Sequence, residues 1–546
     1  MSKSNSMKPN DIEYDYIVVG SGFGGSVAAL RLAEKGYSVA VLEQGSRISP
    51  KQMKAASRKV TALTWLPQLG LKGFFAQRFF RHVGLIRGIG VGGGSLVYAA
   101  VLLRPKQAFY QSIAWNKLAN WEAELAPHYD TASRMLGVQS NPYQSEMDWQ
   151  LKRTAEALGN GDSWGAVPQG IFFGEKGRTV ADPFFGGTGP ERTGCTLCGH
   201  CISGCDIGAK NSLDKNYLYF AEQLGVKIYP NTKVTGIRQL TGGAYSIDTQ
   251  PSGIRGPSKQ TKRQFKSTKI VLAGGVIGTL ELLFKCRDQD HSLVNISPRL
   301  GDTVRTNSEA LVASLSKDPN IDLSKGTTIS SDFYIGNDTH ITQNRIPPSQ
   351  AFMRFYMGPL VDGEVPWKRA LRTLWTILRT PLASSRSWRS KNWNKRATVL
   401  TVMQVIDNAI AMRWKRLWWA PWKRGLVSTL EGSERVPTYL KPANDAARTL
   451  AETNNGTPLN IMGESLGNLA LTAHILGGCK IGASPEEGVV DSQHRLFGYP
   501  DIYVTDASAI PANVGVNPSL TITAMAERCM DFIPPKYDTN TEKSAP

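Results

Sequence analysis

The chain contains no run of 18 or more uncharged apolar residues, so no membrane-spanning helix is expected. Its first stretch, Met1 to Asp11, is polar and lacks the apolar centre of a secretory signal. A cytoplasmic location is expected on that ground. Seven cysteines in 546 residues are then not expected to form a disulfide framework. Acids are scarce in one region. Between Val365 and Gly425, 14 Lys and Arg stand against a single acid, Asp407, and Ser384 to Gln404 contains no acid at all. That region carries most of the +18 net charge and eight of the 13 tryptophans. A basic balance raises nucleic acid as a partner, but no nucleic-acid motif accompanies the charge, so none is expected. Trp interleaved with Lys and Arg suits the anionic face of a membrane, which implies peripheral attachment. The alternative is a solvated basic face with a few packed aromatics. Trp367, Lys368, Arg369, Arg372, Trp375 and Arg379 are spaced for an amphipathic helix, and Trp414 to Arg424 form a second cluster.

Near the start, Tyr16 to Val19 read as a buried strand and Gly20-Ser21-Gly22-Phe23-Gly24-Gly25 as a tight turn. A helix follows over Ser26 to Lys35, closed by Gly36, then a second strand over Ser38 to Leu42. In this order GxGxxG is a dinucleotide fingerprint. Gly20 allows the turn, Gly22 lets a pyrophosphate approach the backbone, and Gly25 lets helix and strand pack closely. The free N–H groups of the helix N-terminus favour the phosphates. Glu43, 23 residues after Gly20, is placed to bind ribose hydroxyls. The motif alone does not separate FAD from NAD.

The rest of the chain is less regular. Lys51 to Arg87 is basic and aromatic and reads as an excursion covering a site. Val226 to Arg238, Lys269 to Leu272 and Asp501 to Asp506 read as strands. Alternation of polar and apolar residues over 306–464 suggests an antiparallel sheet. Pro518 to Phe532 read as a helix with Asn517 as its N-cap and Pro518 as its first residue.

Three later segments narrow the cofactor. They are Gly88-Ile89-Gly90-Val91-Gly92-Gly93-Gly94-Ser95-Leu96-Val97-Tyr98; Leu272-Ala273-Gly274-Gly275-Val276-Ile277-Gly278-Thr279; and His474-Ile475-Leu476-Gly477-Gly478-Cys479, continued by Tyr503 to Ser508 and Gly515 to Thr521. Together they resemble the glucose–methanol–choline oxidoreductases, most closely the cholesterol oxidase branch. The resemblance spans Tyr16 to about Phe532 and is weak from about 310 to 460.

The resemblance implies an α/β fold: a Rossmann-type FAD-binding domain (12–104, 205–305 and 465–535) and an antiparallel-sheet substrate-binding domain (105–204 and 306–464). It implies FAD contacts from Gly92, Gly93, Gly94 and Ser95 at the flavin, Val234 at adenine and Asp506 at the ribityl chain. It assigns His474 and Asn517 to the active site, with His474 taking the hydroxyl proton and Asn517 orienting the hydroxyl and flavin. Tyr98 departs from the family, which often carries Asn there. The implied substrate is a hydrophobic alcohol, a 3β-hydroxysteroid such as cholesterol in the first place and a long-chain alkanol in the second. The acceptor is O2 or an electron-transfer partner. The Glu that isomerises the product in steroid oxidases has no counterpart in the acid-free stretch Ser384 to Gln404.

Cys195, Cys198, Cys201 and Cys205 spell C-x2-C-x2-C-x3-C, the spacing of a bacterial ferredoxin run with Asp206 in place of the usual Pro. Three readings stay open: a [4Fe–4S] cluster, a structural Zn²⁺ site, or four free thiols. With a cluster the enzyme would be a dehydrogenase, or a membrane-docked flavin and iron–sulfur carrier with no alcohol of its own. Cys286, Cys479 and Cys529 read as ordinary buried thiols.

Overall fold

The computed structural model describes residues 13–252, 263–417, 420–430 and 436–537. The polar leader, Trp418, Trp419 and the last nine residues lie outside them. The first core forms around a sheet whose central strands are short and largely apolar. Val39–Leu42 is buried at every position, and Tyr14–Val19 at its last four. Strands of this kind are buried on both faces and pair in parallel. The observed parallel order is Lys227–Tyr229, Val39–Leu42, Tyr14–Val19, Gln264–Leu272 and Tyr499–Val504. The first half of Gln264–Leu272 also pairs antiparallel with Tyr245–Pro251, which pairs with Thr232–Gln239. The single strand expected over Val226 to Arg238 is therefore two. They are broken at Pro230-Asn231, where Asn231 takes a positive φ of 56°.

The second sheet is antiparallel throughout, as the alternation over 306–464 suggested. Its order is Met357–Pro359, Gly456–Ile461, Ala310–Ser316, Ala397–Gln404, Thr339–Asn344, Ser331–Ile335 and Gly165–Ala166. The helix Lys441–Thr453 covers one face through Ala443, Ala446, Ala447 and Leu450.

Two segments sit elsewhere than the expected domain limits put them. The helix Trp121–Met135, within 105–204, packs on the C-terminal helix Ser519–Asp531 and places Trp121, Leu125 and Tyr129 in the first core. The second Trp cluster lies on a hairpin, Ala411–Leu417 with Ala420–Thr429, packed on the helix Gly275–Asp288 through Met412 and Leu426.

The helix Pro366–Arg379 forms where the spacing predicts it. Arg369 and Thr373 are buried, while Trp367, Leu371, Leu374, Trp375 and Leu378 face solvent. Trp393, counted with the basic segment, is a core residue at 1% exposure.

Candidate active site

The backbone is tightly packed at two of the fingerprint glycines and open at the third. A Cβ on Gly20 (φ +101°) would stand 2.3 Å from Ala273 O, and one on Gly25 would stand 2.1 Å from Gly20 O. A Cβ on Gly22 would meet nothing within 4 Å, so the backbone there faces open space. Gly22 also caps the helix Phe23–Glu34 without any side-chain bond, leaving that helix's first N–H groups free for phosphate. Glu43 ties the turn to the second strand. Its Oε2 accepts from Ser21 N (3.1 Å) and Ser21 Oγ (2.8 Å), and its Oε1 accepts from Gly45 N (2.8 Å). Burial pushes the Glu43 carboxyl above its ordinary range, against the pull of these donors.

The glycine turn arrives from a small sheet that the sequence shows only as a covering excursion. Val83–Gly88 pairs antiparallel with Phe75–Phe79 and parallel with Ala470–Thr472. Parallel pairing makes both chains leave at the same end. One runs into Gly92 to Ser95 and the other into His474. Gly92 (φ +102°) and Gly93 (φ +51°) take left-handed backbone, and a Cβ on Gly93 would be 2.7 Å from Gly22 Cα. The turn thus lies directly on the fingerprint. Ser95 holds the turn rather than offering a free hydroxyl: its Oγ donates to Gly92 O (2.7 Å) and accepts from Leu213 N (3.1 Å). Asp506, fully engaged, accepts from Ser508 N, Ser508 Oγ and Thr279 Oγ1, and burial raises its carboxyl's pKa. Val234 sits beside an irregularity in the ladder, between Val234 and Gly236. A cleft of about 480 Å³ lies beyond the second strand, lined by Ser46, Tyr229, Asn231, Thr232, Thr249 and Arg263. Neither His474 nor the glycine turn is among its lining residues.

His474 and Asn517, 43 residues apart, meet with Nε2 and Nδ2 3.4 Å from each other. The expected N-cap is corrected here. The helix spans Ser519–Asp531, Pro518 stands at the cap position, and the side chain of Asn517 caps nothing. Its Oδ1 is buried with no hydrogen-bond partner. An orphaned acceptor beside an imidazole is costly unless a ligand completes it.

Glu309 was not foreseen. Its Oε2 lies 3.1 Å from His474 Nδ1, at an angle that falls short of a hydrogen bond, and accepts from Thr472 Oγ1 (2.7 Å) and Ala473 N (3.0 Å). Asn307 was missed as well. It accepts from Gly515 N (2.8 Å) and donates to Val516 O (2.9 Å), so the loop before Ala310–Ser316 braces both catalytic candidates. Its left-handed pair, Asn307 (φ 59°) and Ser308 (φ 42°), was visible in sequence only as a polar run.

The four motif cysteines are all free thiols, as are Cys286, Cys479 and Cys529, which are buried as expected. Among the described residues no three His, Cys, Asp or Glu are arranged to hold a metal ion. Neither the iron–sulfur nor the Zn²⁺ reading therefore gains support from the arrangement of these residues.

Comparison with known proteins agrees with this architecture. The family model "GMC oxidoreductase" matches residues 189–287 and 404–526, and "NAD(P)-binding Rossmann-like domain" matches 18–68. A cholesterol oxidase from Acinetobacter baumannii is 41% identical over 97% of this chain and 96% of its own length. One from Mycobacterium tuberculosis (strain ATCC 25618 / H37Rv) is 41% identical over 98% of this chain and 93% of its own. Among solved structures, pyridoxine 4-oxidase from Mesorbium loti is similar in fold, with a TM-score of 0.62 at 15% identity over 95% of this chain and 98% of that one. An open phosphate cradle, a glycine turn laid upon it and a His–Asn pair, joined to full-length identity at this level, place the chain in the GMC oxidoreductase family of FAD-dependent enzymes acting on CH–OH donors.

Proposed function

We propose that this enzyme oxidises the 3β-hydroxyl of a sterol to the ketone. The observation that carries the reading is the His474–Asn517 pair with its orphaned Asn517 Oδ1. It is supported by 41% identity over nearly the whole chain to proteins described as cholesterol oxidases. Bound FAD supplies the acceptor for the hydride of the carbinol C–H. The residues of the chain do the rest. His474 Nε2 accepts the hydroxyl proton as the C–H bond weakens. Asn517 Nδ2 donates to the hydroxyl oxygen, and its Oδ1 is left to receive a donor from substrate or cofactor. Glu309 faces the opposite ring nitrogen and stabilises the imidazolium that forms. Thr472 fixes Glu309 and also accepts from His474 N (2.8 Å), so base and carboxylate move as one unit. O2 as the final acceptor fits the description of the relatives as oxidases.

The substrate reaches the site from a lipid surface in this reading. Trp367, Leu371, Leu374, Trp375 and Leu378 form one exposed stripe on Pro366–Arg379, continued by Leu382. Lys368, Arg372 and Arg379 are exposed on the same helix. Apolar residues seated among cations match an anionic bilayer. The decisive test is anaerobic bleaching of the flavin with cholesterol and with long-chain alkanols. Bleaching by sterol at the lowest concentration is expected. Preference for alkanols would move the assignment to a long-chain alcohol dehydrogenase, and no bleaching by either would remove it.

A further inference from the structure

Two buried cations lie close to the glycine turn without an anion of their own. Lys210 is 2% exposed and, among the described residues, has no carboxylate within ion-pair distance. Its ammonium donates to Cys201 O (2.7 Å), Leu96 O (3.0 Å) and Tyr98 O (3.2 Å), and it lies 5.0 Å from the centre of the Tyr98 ring. Arg192 is 1% exposed. Its Nη2 donates to Ala209 O and Asn211 Oδ1, while Nε and Nη1 are buried with no hydrogen-bond partner. Burial works against both charges. Asp214, a carboxylate whose charge reaches both, is itself taken up by Ser212 Oγ and by Lys215 at 3.4 Å. Cys201 and Cys205, which also act on Lys210, are free thiols. Cations buried in this way are expensive until an anion arrives.

The segment that carries Lys210 backs the glycine turn. Leu213 N donates to Ser95 Oγ (3.1 Å), Tyr98 Oη donates to Asn211 O (2.7 Å), and the Lys210 ammonium joins Leu96 to Tyr98. The turn in its own right lies on the phosphate cradle. A Cβ on Gly93 would be 2.7 Å from Gly22 Cα, and one on Gly94 would be 3.5 Å from the Phe23 ring. That ring meets the Tyr98 ring edge-on, with centres 5.5 Å apart. Lys210, Tyr98 and Phe23 therefore connect a buried charge to the first residue of the helix that faces the dinucleotide.

We propose that Lys210 is a positioning residue for the flavin, and that its fixed charge favours the reduced form. This rests on the reading that FAD lies along Gly92 to Ser95, and not on which alcohol is oxidised. Hydride uptake breaks the carbinol C–H bond, turns the carbinol carbon into a carbonyl and delivers the electron pair to the flavin, while the hydroxyl proton goes to His474. The oxidised isoalloxazine ring system is uncharged and the reduced one is anionic. The pyrophosphate is charged in both states and leaves the difference unaltered. An ammonium held in a low-dielectric interior is attracted to the charge that appears on reduction, and needs no rearrangement to meet it. Lys210 thereby raises the reduction potential of the flavin, and Arg192 adds a second positive charge to the same field.

The test is a dye-coupled reductive titration of the full-length, FAD-bound protein with no alcohol present, on the wild type, Lys210→Gln and Lys210→Met. Gln keeps N–H donors for the backbone carbonyls and removes the charge; Met fills the space and removes both. Each variant should shift the equilibrium at least about tenfold toward oxidised flavin, which is about 30 mV for a two-electron couple. An unchanged potential in both would overturn the proposal. So would a wild-type potential in Lys210→Gln beside a lowered one in Lys210→Met, the signature of a hydrogen-bonded clip. The wild type alone gives a further measurement that needs no variant to fold. Its reduced flavin should keep the anionic spectrum at pH values where free reduced FAD is already protonated, and a protonated spectrum there would also overturn the proposal. No alcohol enters these titrations, so they can fail without touching the sterol assignment, and the sterol assignment can fail without touching them.

Discussion

The Glu309→Gln variant tests the mechanism at its least expected residue. Glu309 is 4% exposed and its Oε2 stands 3.1 Å from His474 Nδ1. When His474 takes the substrate proton, a positive charge appears opposite that carboxylate. Two unit charges at this separation interact by about 5 kcal/mol at an effective dielectric of 20. Gln can place its carbonyl oxygen where Oε2 stands and keep the bonds from Thr472 Oγ1 and Ala473 N, so the His should stay in position. The amide dipole and solvent recover part of the interaction, which leaves an expected loss of about 2–3 kcal/mol. That is roughly 30- to 160-fold in the rate of flavin reduction. The imidazolium exists only after proton transfer, so kcat should fall while KM changes little. The assay is stopped-flow bleaching of bound FAD by cholesterol under anaerobic conditions, with FAD content measured first. Full-rate reduction in Glu309→Gln with FAD retained would refute the electrostatic role. A rise in KM at unchanged kcat would make Glu309 a substrate-pocket residue instead.

Other expectations follow from the same geometry. His474→Ala should keep FAD and slow its reduction by sterol roughly 10²- to 10⁴-fold; full-rate bleaching would remove His474 from the reaction. Gly22→Val should fold but purify without FAD, because Gly22 has φ −71° and nothing within 4 Å of an added Cβ, whereas Gly25→Ala, 2.1 Å from Gly20 O, should lower the melting temperature. Glu464, fully buried, has its pKa raised to about 8 by desolvation, with Arg369 opposing and Glu309 adding. A folded-state pKa above the unfolded one gives stability that is fully present below about pH 4.5 and is lost as pH rises through 8. Glu464→Gln should therefore raise the melting temperature at pH 8 more than at pH 5, and an equal effect at both would contradict the assignment. Trp375→Ser with Leu378→Ser should abolish co-sedimentation with anionic vesicles and leave turnover of detergent-dispersed sterol unchanged; undiminished co-sedimentation would exclude this helix as the docking face.

What the sequence made legible was local. Gly20, Gly22, Gly25 and Glu43 declare themselves because a turn, a helix start and a strand end lie within 24 residues, and each glycine answers to its own steric need. The alternation of 306–464 accompanies an antiparallel sheet, but Ala310–Ser316 and Ala397–Gln404 are buried at every position, so alternation in residue type did not translate into alternating exposure. Partners at long range were not legible. Glu309 reaches His474 from 165 positions away through Thr472, and no spacing rule announces that contact. The apolar face of Trp121–Met135 marks it as buried without saying against which core, and it packs on the C-terminal helix rather than in the substrate domain. Asn517 has the composition of a helix cap, yet Pro518 takes the cap position and frees the amide for His474.

The helix Pro366–Arg379 shows that a pattern can fix a helix's period and leave its direction open. Apolar residues recurring at i, i+4, i+7 and i+8 define a stripe but not which medium it faces. Here the inward side is chosen by Arg369, whose guanidinium donates to Val361 O and Thr438 O. The charge of Arg369 also acts on the buried Glu464, opposing the desolvation that raises its pKa. Turning the stripe inward would bury five large apolar side chains but would expose Arg369 and leave Glu464 without its cation. The exposed stripe and the buried Arg369 are therefore two faces of one helix.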